Sequence, residues 1–404
     1  MRVLNLLTLL LVVSSTHLFS NEKEGSLNGY ISDLKQEQFD LDYQKSEAEG
    51  SLLRDSWIAP LNLNYTYIRN NQNVNEESKH AAAIRMDQPI FKSGGIYYGI
   101  KFAQNSKKYN DYTIDVAKRK LIKDAISILM QLKQSTLKIN KQELQIKNSE
   151  INLKFKEEQY LNGQLDSGFL DNAVIERNFV IQTLYDFQTA QERLVNTFRT
   201  LSDLDHENAT APHLELLNQE EFLAHNIVLK KADSLLQRDK YAKNMTITKY
   251  LLEVSIVAGY NWNKNNLNNT PSSYDREKDY YDYGVRATLP LSINTFRDIE
   301  SARIDFLKSQ VVMEDKQREL KAIFRQVMQN IENYDKKKSL SLENKDIYAK
   351  LLADTKKLFA AGYKTEYDVQ TLENSVDISE LNSKIYEIDK QLELLNLYEM
   401  YVNE

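Results

Sequence analysis

The sequence predicts a mainly α-helical chain with a small antiparallel β part, repeated twice along its length. Three observations predict this fold class. The 404 residues include only 11 glycines and 5 prolines, and 27% of them are charged, a composition that favours long helices. Four short segments alternate apolar and polar side chains with the period of a strand. The order of strand, polar loop, strand and helical hairpin occurs two times, offset by about 200 residues.

Residues 1–20 have the pattern of a secretory signal peptide. Arg2 provides the cationic end, an apolar run extends from Val3 to Val13, and small or polar residues follow up to a cleavage position after Ser20. The alternative is a membrane anchor, but the apolar run is shorter than the roughly 20 residues that span a bilayer. We therefore expect the chain to be exported.

The first repeat is expected to cover residues 21–204. It begins with a helix and continues with strands at about 58–70 and 81–91. The first of these strands places its apolar side chains at every second position, with polar residues between them: Leu61, Leu63, Tyr65 and Tyr67. This period of two is typical of a strand with one apolar face.

A long helical hairpin at about 97–204 completes the first repeat. Its first helical stretch, 97–161, would be roughly 95 Å long at ~1.5 Å per residue. Apolar residues at heptad spacing, such as Ile139, Ile146 and Leu153, predict coiled-coil packing. The glycine-containing segment 159–173 would then turn the chain into a shorter returning helix.

A linker at 205–217, which contains Pro212, separates this repeat from the second, at 218–404. The second repeat has the same plan: one helix up to about residue 250, strands at about 252–263 and 281–293, and a helical hairpin at about 295–402. Its turn is expected in the stretch "LFAAGYKTEYDV", around Gly362.

No pattern of catalytic, cofactor-binding or metal-binding residues is visible. The net charge is −6 and no basic stripe occurs, which argues against nucleic-acid binding. The chain has no cysteine, and its five histidines are scattered, so a thiolate or histidine metal site is not expected. The sequence therefore predicts neither an enzyme nor a cofactor.

The duplicated plan resembles the TolC family of outer membrane efflux proteins. Four segments carry the resemblance: "APLNLNYTY", "DQPIFKSGG", "YLNGQLDSGFLDNA" and "FAAGYKTEYDV". The resemblance implies four membrane strands per chain and a homotrimer with a 12-stranded β-barrel, continued by an α-helical tunnel in the periplasm. A four-stranded sheet requires such partners in any case, because strand edges must be paired in hydrocarbon.

This resemblance implies a passive channel-tunnel, gated at its periplasmic tip. It would be the exit duct of a tripartite efflux or type I secretion system and would contact outer membrane lipid, a periplasmic adaptor (membrane fusion) protein and an inner membrane transporter. Two alternatives stay open. One is a soluble β-sandwich on a helical stalk, and the other is an exported coiled-coil structural or adhesin-like protein without channel activity.

The resemblance also implies roles for individual residues. A ring of carboxylates would narrow the tunnel just after the second helical turn. Asp368 matches the first acidic position of the family, whereas the second is Thr371. Either the ring is weaker here, or Glu366, Glu373 or Asp171 supplies the missing charge. The alternative is that Asp368 is an ordinary first-turn acid, favoured by the helix dipole.

The tips of the two hairpins would accept the adaptor, through Gly163 and Ser167 in the first and Gly362 and Thr365 in the second. The alternative role is local, since glycine makes turns and threonine caps helices. Counting from Gly163 to Ser167 and from Gly362 to Thr365, we expect one extra residue in the first turn. The aromatic residues of the strands would face lipid: Tyr65, Tyr67, Tyr260 and Trp262.

Overall fold

A computed structural model describes residues 27–70, 77–267 and 276–402. The expected signal peptide and the centres of both strand-connecting loops lie outside these residues. The helices and strands are, in chain order, α1 (Asp33–Asp55), β1 (Asn62–Asn70), β2 (Glu77–Phe91), α2 (Gly95–Leu161), α3 (Ser167–Leu201), α4 (Gln219–Ala224), α5 (Ile227–Thr248), β3 (Glu253–Leu267), β4 (Arg276–Thr288), α6 (Thr295–Ala360) and α7 (Glu366–Tyr398). The predicted mainly α-helical fold with a small antiparallel sheet is confirmed.

The four strands form one antiparallel sheet in the order β1-β2-β3-β4. The pairing of β2 with β3 joins the two repeats, and its register aligns Ala82 with Trp262. Strands β1 and β4 lie at the two edges. The duplicated halves therefore meet in the centre of the sheet, and the outer edges of β1 and β4 have no partner strand among the described residues.

The helices form two hairpins, α2 with α3 and α6 with α7. Helix α7 also packs against α2, so the lateral order of the hairpin helices is α3, α2, α7, α6. Helices α1 and α5 add a second layer, α1 against α2 and α5 against both α2 and α6. Among the residues that the structure describes, no helix is both long and apolar enough to cross a membrane.

The main hydrophobic core lies at the middle of the long helices, far from their tips. Phe222 of α4 is fully buried there, and its ring centroid lies 5.6 Å from that of Phe324. The end of the chain closes this core, because Arg119 donates a 2.9 Å hydrogen bond to the carbonyl of Tyr401. Burial is thus concentrated where the short helices meet the two hairpins.

The helix expected as one element at 218–250 is two helices, and the prediction of a single helix is wrong. The break lies at His225 and Asn226. The Asn226 side chain accepts hydrogen bonds from the N–H groups of Val228 (2.9 Å) and Leu229 (3.2 Å), which starts a new helix. The carbonyl of His225 accepts a hydrogen bond from the N–H of Val402, and this bond stabilises the break between the two helices.

The strand boundaries also differ from the prediction: β2 begins four residues earlier and β3 ends four residues later than expected, and β1 and β4 are shifted as well. The strand expected at 58–70 begins at Asn62, and the strand expected at 281–293 covers Arg276–Thr288 instead. Strand β4 ends two residues before Pro290, which has no N–H to donate to the hydrogen bonds between strands. The apolar alternation beyond this point, at Leu291 and Ile293, continues without strand pairing.

Candidate functional site

The two hairpin turns have the same backbone geometry. Gly163 and Gly362 adopt positive φ angles of +71° and +79°. In each turn the glycine N–H bonds the carbonyl three residues back at 2.9 Å, and the following N–H bonds the carbonyl five residues back at 2.8 Å. This pair of bonds is the Schellman motif, which favours glycine because a left-handed backbone strains other residues.

The returning helices begin at equivalent positions, so the expected extra residue in the first turn is wrong. Asp166 and Thr365 each follow their glycine by three residues, and each is the N-cap of the next helix. The carboxylate of Asp166 accepts a 3.2 Å hydrogen bond from the N–H of Gly168. Ser167 is therefore the first helical residue, one position beyond the equivalent of Thr365.

The second turn carries a reciprocal cap that includes Asp368. The Thr365 hydroxyl accepts a 3.2 Å bond from the N–H of Asp368, and the Asp368 carboxylate accepts 2.9 Å bonds from the N–H and the hydroxyl of Thr365. Lys364 Nζ lies 3.6 Å from the same carboxylate. The bond from the Thr365 N–H is the main cause that lowers the pKa of Asp368. Asp368 is thus a first-turn acid of α7, as in the local alternative given above, and its carboxylate also closes the cap of this helix.

Asp368 and Thr371 line a groove of about 960 Å³ between the two hairpins. Its walls come from α2, α3 and α7, with one residue of α6, and most of its polar side chains are neutral: Gln142, Gln145, Asn148, Asn152, Thr183 and Thr355. The described lining does not include Glu366, which accepts a 2.9 Å bond from Gln370, or Asp171, which is exposed on α3. The structure therefore brings Thr365, Asp368 and Thr371 together and leaves these two acids outside this groove. Glu373 is also outside it and pairs with Lys356 at 2.7 Å.

Tyr367 connects the second turn to the first hairpin. Its hydroxyl donates a 3.1 Å hydrogen bond to Glu158 of α2, and this bond raises the pKa of Tyr367. Two turns further along α7, Asn374 donates a 2.7 Å bond to Asn148 of α2. Sequence reasoning missed Tyr367, because its partner lies 209 residues away along the chain.

The apolar face of the sheet is exposed. Tyr65, Tyr67 and Tyr260 are 63%, 53% and 46% exposed, and Trp262 on the same face is half-buried. On the opposite, polar face, Ser255 and Asn261 of β3 are each only 5% exposed, whereas most polar-face residues of β1 and β4 are exposed. A sheet in a soluble domain instead covers its apolar side.

The aromatic side chains of the exposed face bond polar groups near the loop ends of the strands. Trp262 Nε1 donates a 2.7 Å bond to Glu277, and the Tyr260 hydroxyl donates a 3.1 Å bond to Asp279. An apolar ring with a polar partner at one end is the arrangement that suits a membrane–water interface. In the described ranges, no group of three or more His, Asp or Glu side chains is arranged to hold a metal ion.

No family model and no curated protein matches this sequence. Several solved structures are nonetheless similar over nearly the whole chain. The Campylobacter jejuni outer membrane channel CmeC has a TM-score of 0.71 at 11% identity, covering 94% of this chain and 86% of its own. The outer membrane protein VceC of Vibrio cholerae has a TM-score of 0.68 at 12% identity, covering 93% and 95%. The open state of the Neisseria gonorrhoeae channel MtrE has a TM-score of 0.63 at 12% identity, covering 92% and 88%.

These similarities show that the chain has the fold of these outer membrane channels. They agree with the fold expected from the duplicated sequence plan, including the small antiparallel sheet joined to long helical hairpins. At such low identity the similarity concerns the fold, and the roles of individual side chains rest on their own geometry.

Proposed function

We propose that this chain is the outer membrane exit duct of a tripartite efflux system or, alternatively, of a type I secretion system. The observation that carries the proposal is the sheet, whose apolar face is exposed, with Tyr65 and Tyr260 at 63% and 46%. Hydrocarbon would cover the apolar face and water would fill the polar side. Such a duct is passive and catalyses no reaction, and the similar solved structures are likewise channels.

Strands β1 and β4 each have one edge without a partner strand in the described sheet, and these edges support assembly into a homotrimer. In hydrocarbon every backbone N–H and carbonyl group of an edge strand needs a partner. Because β1 and β4 are different surfaces, a head-to-tail contact between them repeats around a ring. Three copies of the four-stranded sheet give a closed barrel of twelve strands.

The length of the helices supports a tunnel outside the membrane. Helices α2 and α6 contain 67 and 66 residues, so each extends about 100 Å at ~1.5 Å per residue. This is more than twice the roughly 40–45 Å thickness of a bilayer with its headgroups. The helices would therefore reach far into the periplasm, towards an adaptor protein and an inner membrane transporter.

The hairpin tips are the proposed docking site for the adaptor. Gly163 and Gly362 have no neighbouring atom within 4 Å of the position of an added Cβ, and Tyr363 beside the second glycine is 80% exposed. Ser167 and Thr365 flank the same turns. Both turns thus present open, rigid backbone that a helical partner can approach closely.

The groove beside the second tip is the proposed gate. Asp368 and, across the groove on α3, Glu176 supply carboxylates there, whereas Thr371 is neutral. Three copies would therefore have a weaker acidic ring at the start of α7 than a design with two acids in that turn. Thr371→Asp should increase cation selectivity in planar bilayers. Thr371→Asn is the matched control, because it has nearly the same size as aspartate and no charge. Equal selectivity of these two variants would contradict a gate at this position.

Cysteine cross-linking tests the trimer. The natural chain has no cysteine. Each double variant therefore has only two thiols, one at Thr66 of β1 and one at a polar-face position of β4, and the β4 positions are tested one after another. Correct register brings the two Cα atoms to about 4.4–6.8 Å and allows a disulfide between copies. We expect a covalent trimer in detergent extracts of outer membrane. The Thr66→Cys single variant is the control, and a water-soluble monomer would instead favour the exported coiled-coil alternative.

A further inference from the structure

Four charged residues lie in the middle of the polar face, two on each side of strand β3. Arg85 and Asp87 belong to β2, and Asp282 and Arg286 belong to β4. One acid and one base therefore lie on either side of β3, two residues apart on β2 and four residues apart on β4. We call these four residues the charged belt.

Two of the belt residues meet across β3 through one amide side chain. Arg85 Nη2 donates a 3.2 Å hydrogen bond to Asn261 Oδ1, and Asn261 Nδ2 donates a 3.0 Å bond to Asp282 Oδ1. In the register of the sheet, Gly259 lies directly between Arg85 and Asp282. A Cβ at Gly259 would be 2.9 Å from Asp282 Oδ1, so a side chain there would displace the Asp282 carboxylate.

The other two belt residues pair directly. The Arg286 guanidinium donates a hydrogen bond to the Asp87 carboxylate across β3. Both side chains stay about half exposed, at 56% for Arg286 and 46% for Asp87. The charges of the belt cancel in sum, but each remains within reach of solvent on this face.

We propose that the charged belt determines the ion selectivity of the barrel part of the duct. This inference rests on the proposed function, since it requires the polar face to line the water-filled interior. Three copies would repeat the belt around one level of the pore, distinct from the gate at the helical tip. With all four charges present, the acids and bases balance. Removal of one charge leaves its partner uncompensated, in a place where it acts on passing ions.

Single-charge variants test the belt in planar bilayers under a salt gradient. Arg286→Gln and Arg85→Gln should each raise the cation-to-anion permeability ratio, because an acid loses its partner. Asp87→Asn and Asp282→Asn should each lower that ratio, because a base loses its partner. We expect severalfold changes of opposite sign. Each pair of residues gives an independent result, so a variant that does not assemble leaves the other pair to decide.

Asp279→Asn is the matched control for Asp282→Asn. It makes the same substitution on the same strand, but Asp279 bonds Tyr260 on the opposite, apolar face. The control should leave the permeability ratio unchanged. Conducting variants whose ratio equals that of the wild type, or equals that of the control, would overturn the belt. A wild-type protein without any conductance would instead overturn the proposed function.

Discussion

The two hairpin turns share one backbone geometry but hold the following helix in different ways. After Gly163, the returning helix has a single cap bond, from the Gly168 N–H to Asp166. After Gly362, it has the reciprocal bonds of Thr365 and Asp368 and a further bond that Tyr367 makes to the other hairpin. The comparison shows that a duplicated turn can be kept while the contacts around it diverge.

The same contrast extends along the returning helices. Among the long helices, α3 packs mainly against α2, and Ile175 and Phe179 on it are 65% and 68% exposed. Helix α7 lies between α6 and α2, and its Leu394 and Leu397 are at most 1% exposed. Within one chain, α3 is a flank and α7 is an interior helix. In the proposed ring, the exposed apolar side chains of α3 would meet the next copy.

The largest expected effect tests what the two turns share. Alanine at Gly163 or Gly362 must adopt a positive φ angle, at a cost of about 1–2 kcal/mol. Because neither added Cβ meets another atom within 4 Å, this cost is conformational only. We expect equal losses of stability at the two tips, measured by hydrogen exchange of the tip amides. A clearly unequal pair of losses would break the equivalence of the turns.

The next effect tests how the caps differ. Asp368→Ala removes the acceptor for the Thr365 N–H and should destabilise the start of α7 by about 1 kcal/mol. Phe169 occupies the equivalent position in α3 and accepts no cap bond, so Phe169→Ala is the matched control. Hydrogen exchange at the starts of the two helices measures both variants. Equal effects of the two substitutions would show that the reciprocal cap has no energetic role.

A smaller effect is expected from the bond between the hairpins. Tyr367→Phe removes only the hydroxyl that donates to Glu158. The amide hydrogens of the second tip should exchange faster. In spin-label measurements, the distribution of distances between α7 and α2 near the tip should broaden. Tyr363→Phe, which changes an exposed tyrosine four residues away, is the control. If the two variants behave alike, the bond to Glu158 does not hold the hairpins together.

The smallest effect is the pH dependence of the second tip. The folded state lowers the pKa of Asp368 below its ordinary value of 3.8. The cap's pH-dependent stabilisation is therefore complete above this ordinary value and is lost as the pH falls below it, through the lowered pKa. We expect amide exchange at the start of α7, corrected for intrinsic rates, to increase in that range. Asp368→Asn should remove this increase, and its persistence in the variant would assign it to another group.

The sequence by itself determined the elements and their order. The alternation of Leu63, Tyr65 and Tyr67 has the strand period, and the heptads beyond Gly95 have the helix period, so local residue spacing was sufficient to predict both. The two glycines marked the turns because a positive φ angle is a property of one residue and its neighbours. The trimer, the gate and the docking tips stay predictions.

Only the tertiary structure decided which partners the side chains meet. The break between α4 and α5 at His225 involves a hydrogen bond from Val402, and the hydrogen bond of Tyr367 involves Glu158, 209 residues away. The path of the turn places Asp166, and not Ser167, at the N-cap of α3. The exposure of the apolar face of the sheet likewise appears only in the fold. Periodicity reports which residues share a face, whereas the contacts of that face come from segments far apart in the sequence.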